Sequence, residues 1–401
     1  MKYDVVIIGA GPAGSTAARF LSKEGYNVLL LDKEKFPRYK ACAGGLCKHI
    51  EEFDYLNIEK LDLVESVCKA SLTFSPSTRY EMSYESEDVL FYNVDRKEFD
   101  NYLVGIAINA GSDFRDGVKV KEISIRKEYA LLKLGNGREV KSRALIGAGG
   151  ANDVANKFLR KKEGIKRWRL AFSLVEDFEV GESFVSDVYG EKSKCIILLR
   201  FAGLHGYAWV FPKRSSLNIG YAGYLEEMRG RNAKELLNQF LKFLKRRNFL
   251  PSSVESKKAR GAFIPCRGFL RKTYTDRLLL CGDSAGFVSP LSGEGIYYAM
   301  DSGRIASKVL CEALEEEKLD EKSLRNYQKI WMERWGKDFL YLKIFHHALM
   351  KFTEGIIKRG VENKSLRGLY VGVFNGSLRA REVKWKILRE ILIPKRHEKI
   401  G

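Results

Sequence analysis

The sequence is short of the residues that would settle its class at a glance. Cysteine numbers 7, an odd count running from Cys42 to Cys311, which argues against a secreted disulfide framework and for a reducing cytoplasm. The 5 histidines are scattered and no His/Cys group has metal-ligand spacing, so no metal site is expected. No apolar run reaches the roughly 18 residues of a spanning helix, so the chain is not expected to cross a bilayer. Acidic residues are in deficit, 51 against 70 Lys and Arg, leaving a net charge of +19. That surplus favours anionic partners, whether nucleic acid, phosphorylated compounds or an anionic membrane surface. A charge-rich surface of the thermophile kind gives the same balance. No RNA-recognition signature, zinc-finger spacing or basic zipper accompanies the charge, so nucleic acid is not expected as a partner.

What is present is 45% hydrophobic residues in a chain of 401, enough for two or three packed units. The first 33 residues organise the rest. Tyr3 to Ile8 is a β-rich apolar run of the kind buried on both faces of a parallel sheet, and this immediate start predicts no cleavable leader. Gly9, Ala10, Gly11, Pro12, Ala13 and Gly14 follow in GxGxxG order. Gly9 permits the tight turn, Gly11 the approach of a pyrophosphate, and Gly14 the close packing of helix on strand. Phosphates then sit at the helix N-terminus, where free N–H groups favour negative charge. Asp32 closes the next apolar run, Asn27 to Leu31, at the distance where a carboxylate accepts hydrogen bonds from a ribose diol. The stretch predicts a dinucleotide site and leaves NAD and FAD open.

Phe36 to Cys47 is a Gly- and Pro-rich loop carrying Cys42 and Cys47 in a C-x4-C arrangement. A redox pair of the flavin disulfide reductase kind would require a second strand, GxGxxG and helix. The candidate, Ala144 to Asn152, lacks the third glycine. Short alternating pieces between residues 70 and 94 read as strands of a second sheet. Asp95 is placed to cap a helix opening at Arg96, whose guanidinium is ill placed for the helix dipole and is expected to serve an anion. Strands follow over Val118 to Ile125 and Tyr129 to Leu134. Trp168 to Gly223 reads as a second β-rich layer, and Asn232 to Arg247 as an amphipathic helix with Leu236, Leu237, Phe240, Leu241 and Leu244 on one face. Gly261 to Pro265 is read as leading back to the first domain.

A second decisive stretch is Arg277 to Gly286, a buried strand delivering Gly282 and Asp283 at its carboxyl end, the ligand side of open α/β sheets. Asp283 can bind a polyol chain. Gly293 and Gly295 then start a helix whose N–H groups would stabilise negative charge on a reduced flavin ring, which selects FAD over NAD.

These features together resemble the p-hydroxybenzoate-hydroxylase-like flavoproteins over about residues 1 to 330. Two stretches are more specifically similar to the geranylgeranyl reductases, FAD enzymes that saturate isoprenoid chains in archaeal lipids and chlorophyll. One is PRYKACAGGL; the other, Tyr207 to Pro212, matches their YxWxFP motif residue for residue. Two departures are visible: Gly220-Tyr221-Ala222-Gly223 displaces the second glycine of the following GxG, and Gly149-Gly150 stands where the superfamily has an Asp-Gly turn. The resemblance implies FAD held by Gly9, Gly11, Pro12, Ala13, Gly14, Asp32, Lys33, Ala43, Gly44, Gly45, Arg96, Val120, Gly282, Asp283, Gly293, Gly295 and Ile296. It also implies an isoprenoid lipid as substrate, with Tyr207, Trp209 and Phe211 alternating on one strand face as a groove wall, and Pro212 and Gly220 beside them. An isolated alkene is a poor hydride acceptor, so a proton must accompany the hydride. Cys42 is the first candidate beside the reacting bond, with Tyr207 and Tyr221 behind it.

The expected fold is α/β, a Rossmann-like FAD-binding domain with an interleaved β-rich substrate domain and a C-terminal helical segment. FAD-binding parts are expected at 1–75, 95–165 and 261–330, substrate-domain parts at 76–94 and 166–260, and helices at 331–401. Tyr341 to Lys358 spaces Leu342, Phe345, Leu349, Phe352 and Ile356 helically. Leu378 to Ile393 sets Trp385, Leu388 and Leu392 among Arg and Lys. Such basic amphipathic helices either pack on their own protein or lie on the anionic inner face of a cell membrane. Expected electron donors are NAD(P)H or ferredoxin. Three other readings stay open: an FAD monooxygenase of the same fold, an electron-transfer flavoprotein that reduces a quinone, and a disulfide reductase.

Overall fold

The computed structural model describes residues 2–392 and divides the chain into two compact units. Unit 1 takes Met1–Lys40, Asp95–Ala171 and Phe263–Phe339; unit 2 takes Ala41–Val94, Phe172–Ala262 and the chain from Leu340 onward.

Unit 1 is built on an eight-stranded sheet whose main path runs Tyr274–Thr275, Leu278–Leu280, Glu139–Gly147, Tyr3–Ile8, Val28–Leu31, Asp113–Arg115. From Leu278–Leu280 to Asp113–Arg115 neighbouring strands are parallel, while Ala130–Leu134 and Val120–Ile125 add an antiparallel flap on Glu139–Gly147. Val5, Val6, Ile7, Leu29, Leu30 and Leu145 are fully buried, as strands covered on both faces require. Helix Pro12–Lys23 packs against helix Ile296–Glu315. They cross at Gly303, where a Cβ would lie 2.4 Å from the Ala13 carbonyl oxygen.

Unit 2 holds a seven-stranded sheet in the order Arg260–Ile264, Ala171–Glu179, Ser216–Tyr224, Tyr207–Pro212, Cys195–Leu199, Ala70–Phe74, Glu81–Glu85, and a three-stranded sheet of Gly45–Cys47, Phe91–Val94 and Val64–Cys68. Because side chains alternate along a strand, the large sheet has two apolar faces. One carries Ala208, Val210, Leu217, Ile219 and Tyr221 and receives Leu236, Leu237, Phe240, Leu241 and Leu244 of helix Ala233–Arg246. The other carries Trp209 and Phe211 and receives Leu349, Ile357, Tyr370 and Phe374 from the C-terminal helices Lys337–Glu362 and Lys364–Phe374.

Several expectations need adjustment. The first FAD-binding segment, expected to reach residue 75, ends at Lys40, because Gly45–Cys47 and Val64–Cys68 pair with Phe91–Val94 and with nothing in the unit 1 sheet. Gly261 to Ile264 lies in an edge strand of the seven-stranded sheet, within which unit 1 resumes at Phe263. Ile356 is not the buried isoleucine of its helix; Ile357 is, after a break from helical geometry at Phe352 (φ −119°, ψ 25°) that leaves Phe352 exposed. The last helix is Ala380–Leu392, and Ile393 lies outside the described residues. Among the described residues no helix is long and apolar enough to cross a membrane.

Candidate functional site

In unit 1 the glycine turn has the geometry its sequence predicts. Gly9 sits at φ +101°, and Gly14 is so close under the turn that a Cβ would lie 1.8 Å from the Gly9 carbonyl oxygen. Gly11 caps helix Pro12–Lys23 without a side-chain hydrogen bond, leaving the first-turn N–H groups for a ligand. Asp32 is buried and fixes the turn itself: Oδ2 accepts from Ala10 N–H at 2.8 Å and Oδ1 from Glu34 N–H at 2.9 Å. Each oxygen keeps a further lone pair for a diol. Lys33 points to solvent beside Glu34, and Val120 is buried at the start of its strand.

Arg38, which carried no role in the sequence reading, belongs to this site. Its Nη2 pairs with Asp100 at 3.0 Å and lies 3.7 Å from where a Gly11 Cβ would stand. Its Nη1 is buried with no hydrogen-bond partner among the described residues. An unmatched guanidinium N–H costs free energy unless an acceptor arrives, so it is aimed at a bound anion. Arg96, expected to serve an anion, does so inside the protein: Nε and Nη2 grip Asp100 at 2.9 and 3.0 Å. Arg38 and Arg96 thus share one carboxylate, and Arg38 is the one beside Gly11.

The other end of the site is the turn at Gly282–Ser284. Gly282 (φ +55°) is wedged between Ala13 and Ala299, and the Oδ1 of Asp283 lies 3.5 Å from where a Cβ would stand on Gly295. Gly295 is the uncapped N-cap of helix Ile296–Glu315, with Gly293 in the left-handed region before it. Burial raises the Asp283 carboxyl pKa, with Lys40 and Arg96 pulling the other way. The missing Asp-Gly turn has a substitute that the sequence did not reveal: Asp153 accepts from Gly149 N–H at 3.0 Å and from Ser284 Oγ–H at 2.7 Å, tying Gly149-Gly150 to the residue after Asp283. Gly11 offers an open approach beside a guanidinium donor, Asp32 a diol acceptor, and Asp283 a polyol acceptor beside a bare helix N-terminus. The set fits a flavin dinucleotide.

In unit 2 the two stretches far apart in sequence come together. Gly44 (φ +79°) is pressed on Phe91–Val94, where a Cβ would lie 2.2 Å from the Val94 carbonyl oxygen. A Cβ on Gly45 would lie 3.1 Å from the Phe211 ring, so the CAGG loop rests on Phe211. Cys42 is partly exposed, its Sγ accepts from Gly44 N–H at 3.4 Å, and its carbonyl accepts from Asn218 Nδ2–H at 3.1 Å. Trp209 and Phe211 are 5% and 6% exposed, so they are the bed of the cysteine loop and not an open groove wall. Pro212, also buried, accepts from Ser66 Oγ–H at 2.6 Å and Asn93 Nδ2–H at 3.0 Å. Gly220 makes room for the indole: a Cβ there would lie 2.6 Å from Trp209 Cζ2. Tyr207 is half-buried between Trp209 and Phe374.

Tyr221 is a correction. One residue from Gly220, it points to the opposite face of the sheet, fully buried against Phe201, with its hydroxyl donating to the Ala233 carbonyl at 2.9 Å. Burial pushes its pKa up to about 12, so it is a core residue and not an acid beside Cys42. The second dinucleotide fold that the disulfide-reductase reading requires is not supplied by the ALIGAGGAN stretch, whose strand is the parallel neighbour of Tyr3–Ile8 in the same sheet.

Comparison with known proteins points the same way. The FAD binding domain family matches residues 2–331. A digeranylgeranylglycerophospholipid reductase from Methanocaldococcus jannaschii is 31% identical over 342 residues, covering 83% of each chain. An uncharacterized protein of Methanosarcina barkeri is 33% identical over 331 residues, covering 82% of this chain and 80% of that one. Among solved structures, a geranylgeranyl bacteriochlorophyll reductase-like protein from Thermoplasma acidophilum superposes with a TM-score of 0.79 at 23% identity, covering 95% of this chain and 98% of that one. A flavin-dependent brominase superposes at 0.70 with 18% identity, covering 97% and 99%. At those identities the two structures establish the shared fold alone.

Proposed function

The chain belongs to the geranylgeranyl reductase family of FAD-binding proteins, and from that premise we propose that it saturates the geranylgeranyl double bonds of an archaeal-type membrane lipid or a prenyl diphosphate. It is an FAD-dependent oxidoreductase acting on carbon–carbon double bonds. When bound, reduced FAD supplies a hydride to one alkene carbon. Gly11, Arg38 and the first turn of helix Pro12–Lys23 would hold its pyrophosphate, Asp32 its ribose, and Asp283 its polyol chain.

The observation that carries the reading is the cysteine loop seated on Trp209 and Phe211. It carries the partly exposed Cys42 in a loop whose Gly45 rests on the Phe211 ring, and an apolar chain would be bound among such apolar and aromatic groups. In this reading the Cys42 thiol gives its proton to the second alkene carbon, and the Gly44 N–H aimed at Sγ stabilises the thiolate left behind. Tyr207 lies on the same strand as a further hydroxyl. NAD(P)H or ferredoxin returns electrons to the cofactor.

The lipid is reached from an anionic bilayer surface. Supporting this, Leu340, Ile344 and Phe352 of helix Lys337–Glu362 and Trp385 and Leu388 of helix Ala380–Leu392 are exposed. Lys384 bonds the Tyr341 hydroxyl at 3.0 Å, joining the two helices. Residues 340 to 392 carry 11 Lys and Arg against 4 Glu and no Asp. Apolar side chains ringed by cations suit an anionic interface. The decisive experiment is mass spectrometry of geranylgeranyl lipid after incubation with chemically reduced protein. A mass gain of one H2 for each bond supports the proposal; unchanged lipid, or product carrying new oxygen, defeats it.

A further inference from the structure

Asn218 joins the cysteine loop to the aromatic strand. It lies opposite Phe211 in the ladder and is 1% exposed, so its two donor hydrogens and its carbonyl must find partners inside unit 2. Asp177 settles which end faces which way. That carboxylate, held by the buried Lys213 at 2.8 Å, can only accept, so the Nδ2 end of Asn218 turns towards it at 3.0 Å. The second Nδ2 hydrogen goes to the Cys42 carbonyl at 3.1 Å, and Oδ1 receives the indole N–H of Trp209 at 2.9 Å. The order of control is therefore Lys213 on Asp177, Asp177 on Asn218, and Asn218 on both the Cys42 backbone and the tilt of Trp209. The pinned carbonyl constrains the Cys42 backbone, and the Gly44 N–H directed at Sγ constrains the one torsion that moves the sulfur, rotation about Cα–Cβ.

We propose that Asn218 is a positioning residue for Cys42, setting the aim of its thiol relative to Trp209. Its effect on alkene reduction rests on the proposed function; its effect on the thiol does not. A residue with a merely structural role would lower stability when replaced and leave the Cys42 chemistry to follow stability. A positioning residue alters the thiol even where stability is regained.

The test reads the rate and pH midpoint of Cys42 alkylation by iodoacetamide, followed on the Cys42 peptide by mass spectrometry, in the FAD-loaded full chain. In Asn218→Ala the rate should change roughly tenfold, the effect expected from one lost buried hydrogen bond. Trp209→Phe removes the indole N–H that Asn218 Oδ1 accepts and leaves the donor to the Cys42 carbonyl in place. It should lose stability while Cys42 alkylation stays near the wild-type rate. Alkylation that follows stability alike in both variants, or never changes in a folded Asn218→Ala protein, overturns the proposal. Altered alkylation in a protein that saturates no lipid upholds the positioning role and removes the reductase reading.

Discussion

Arg38 stands over Gly11, its Nη2 3.7 Å from the place a Gly11 Cβ would take and its Nη1 without a hydrogen-bond partner among the described residues. A guanidinium half committed to Asp100 and half uncommitted beside a phosphate turn is set up for bidentate work. Arg38→Ala should weaken FAD binding roughly tenfold to a hundredfold, the range for one charge-assisted hydrogen bond. Arg38→Lys should recover little, because an ammonium has no rigid fork to span Asp100 and a pyrophosphate. Titration of FAD-free protein by flavin fluorescence checks both; equal affinity in all three proteins removes Arg38 from the site.

Asp283 gives a pH prediction. Burial raises its folded pKa above the unfolded value of about 3.9, so its share of stability is full below that value and lost as pH rises through the raised one. FAD-free wild type should therefore lose melting temperature across that window. Asp283→Asn should flatten the profile, melt higher than wild type at neutral pH, and bind FAD less tightly. Parallel profiles in the two proteins would refute the assignment.

Tyr221→Phe separates core from chemistry. It removes the donor to the Ala233 carbonyl, costing about 1 kcal/mol and a few degrees of melting temperature, and should leave lipid saturation intact. A collapse of activity in a folded variant would return Tyr221 to the mechanism.

Cys42→Ser keeps the size of the side chain and removes its acidity. FAD affinity should be unchanged and the single-turnover rate of alkene reduction should fall by about a hundredfold or more, from the lower end of the range for lost proton transfer upward. Unchanged turnover would place the proton elsewhere.

Trp385→Glu/Leu388→Glu reverses the apolar surface of the last helix without touching unit 1. Cosedimentation with vesicles rich in anionic lipid should be lost, and reduction of a detergent-dispersed substrate kept. Binding that survives both substitutions would point to another surface.

The glycine turn was legible because its main constraints are local: Gly9 sits at φ +101° and Gly14 packs under the Gly9 carbonyl. The helix Ala233–Arg246 was legible down to its five buried residues for the same reason, since a helical face is a periodic signal. What the sequence concealed was long-range. Arg38 becomes a ligand only through Gly11 and Asp100, and Asp153 replaces the acid of an Asp-Gly turn only through Ser284. The aromatic strand was seen but its neighbour was not. Alternation puts Trp209 and Phe211 on one face, yet nothing local says that Gly45 will lie on it. Tyr221 failed for a simple reason of parity, one residue along a strand being one face away from Gly220.

The central strand of unit 1 has partners drawn from very different times in the life of the chain. Tyr3–Ile8 is made well before its neighbour Glu139–Gly147, which follows more than a hundred residues later, and Leu278–Leu280 must come out before that strand is paired on its other edge. Contacts of such separation form slowly, and their unpaired edges stay exposed meanwhile. A complete flavin site waits for Asp283, which is made long after Gly11 and Asp32. Flavin then acts as a ligand that favours the native state over the unfolded one, and a cell short of riboflavin should accumulate less of this protein.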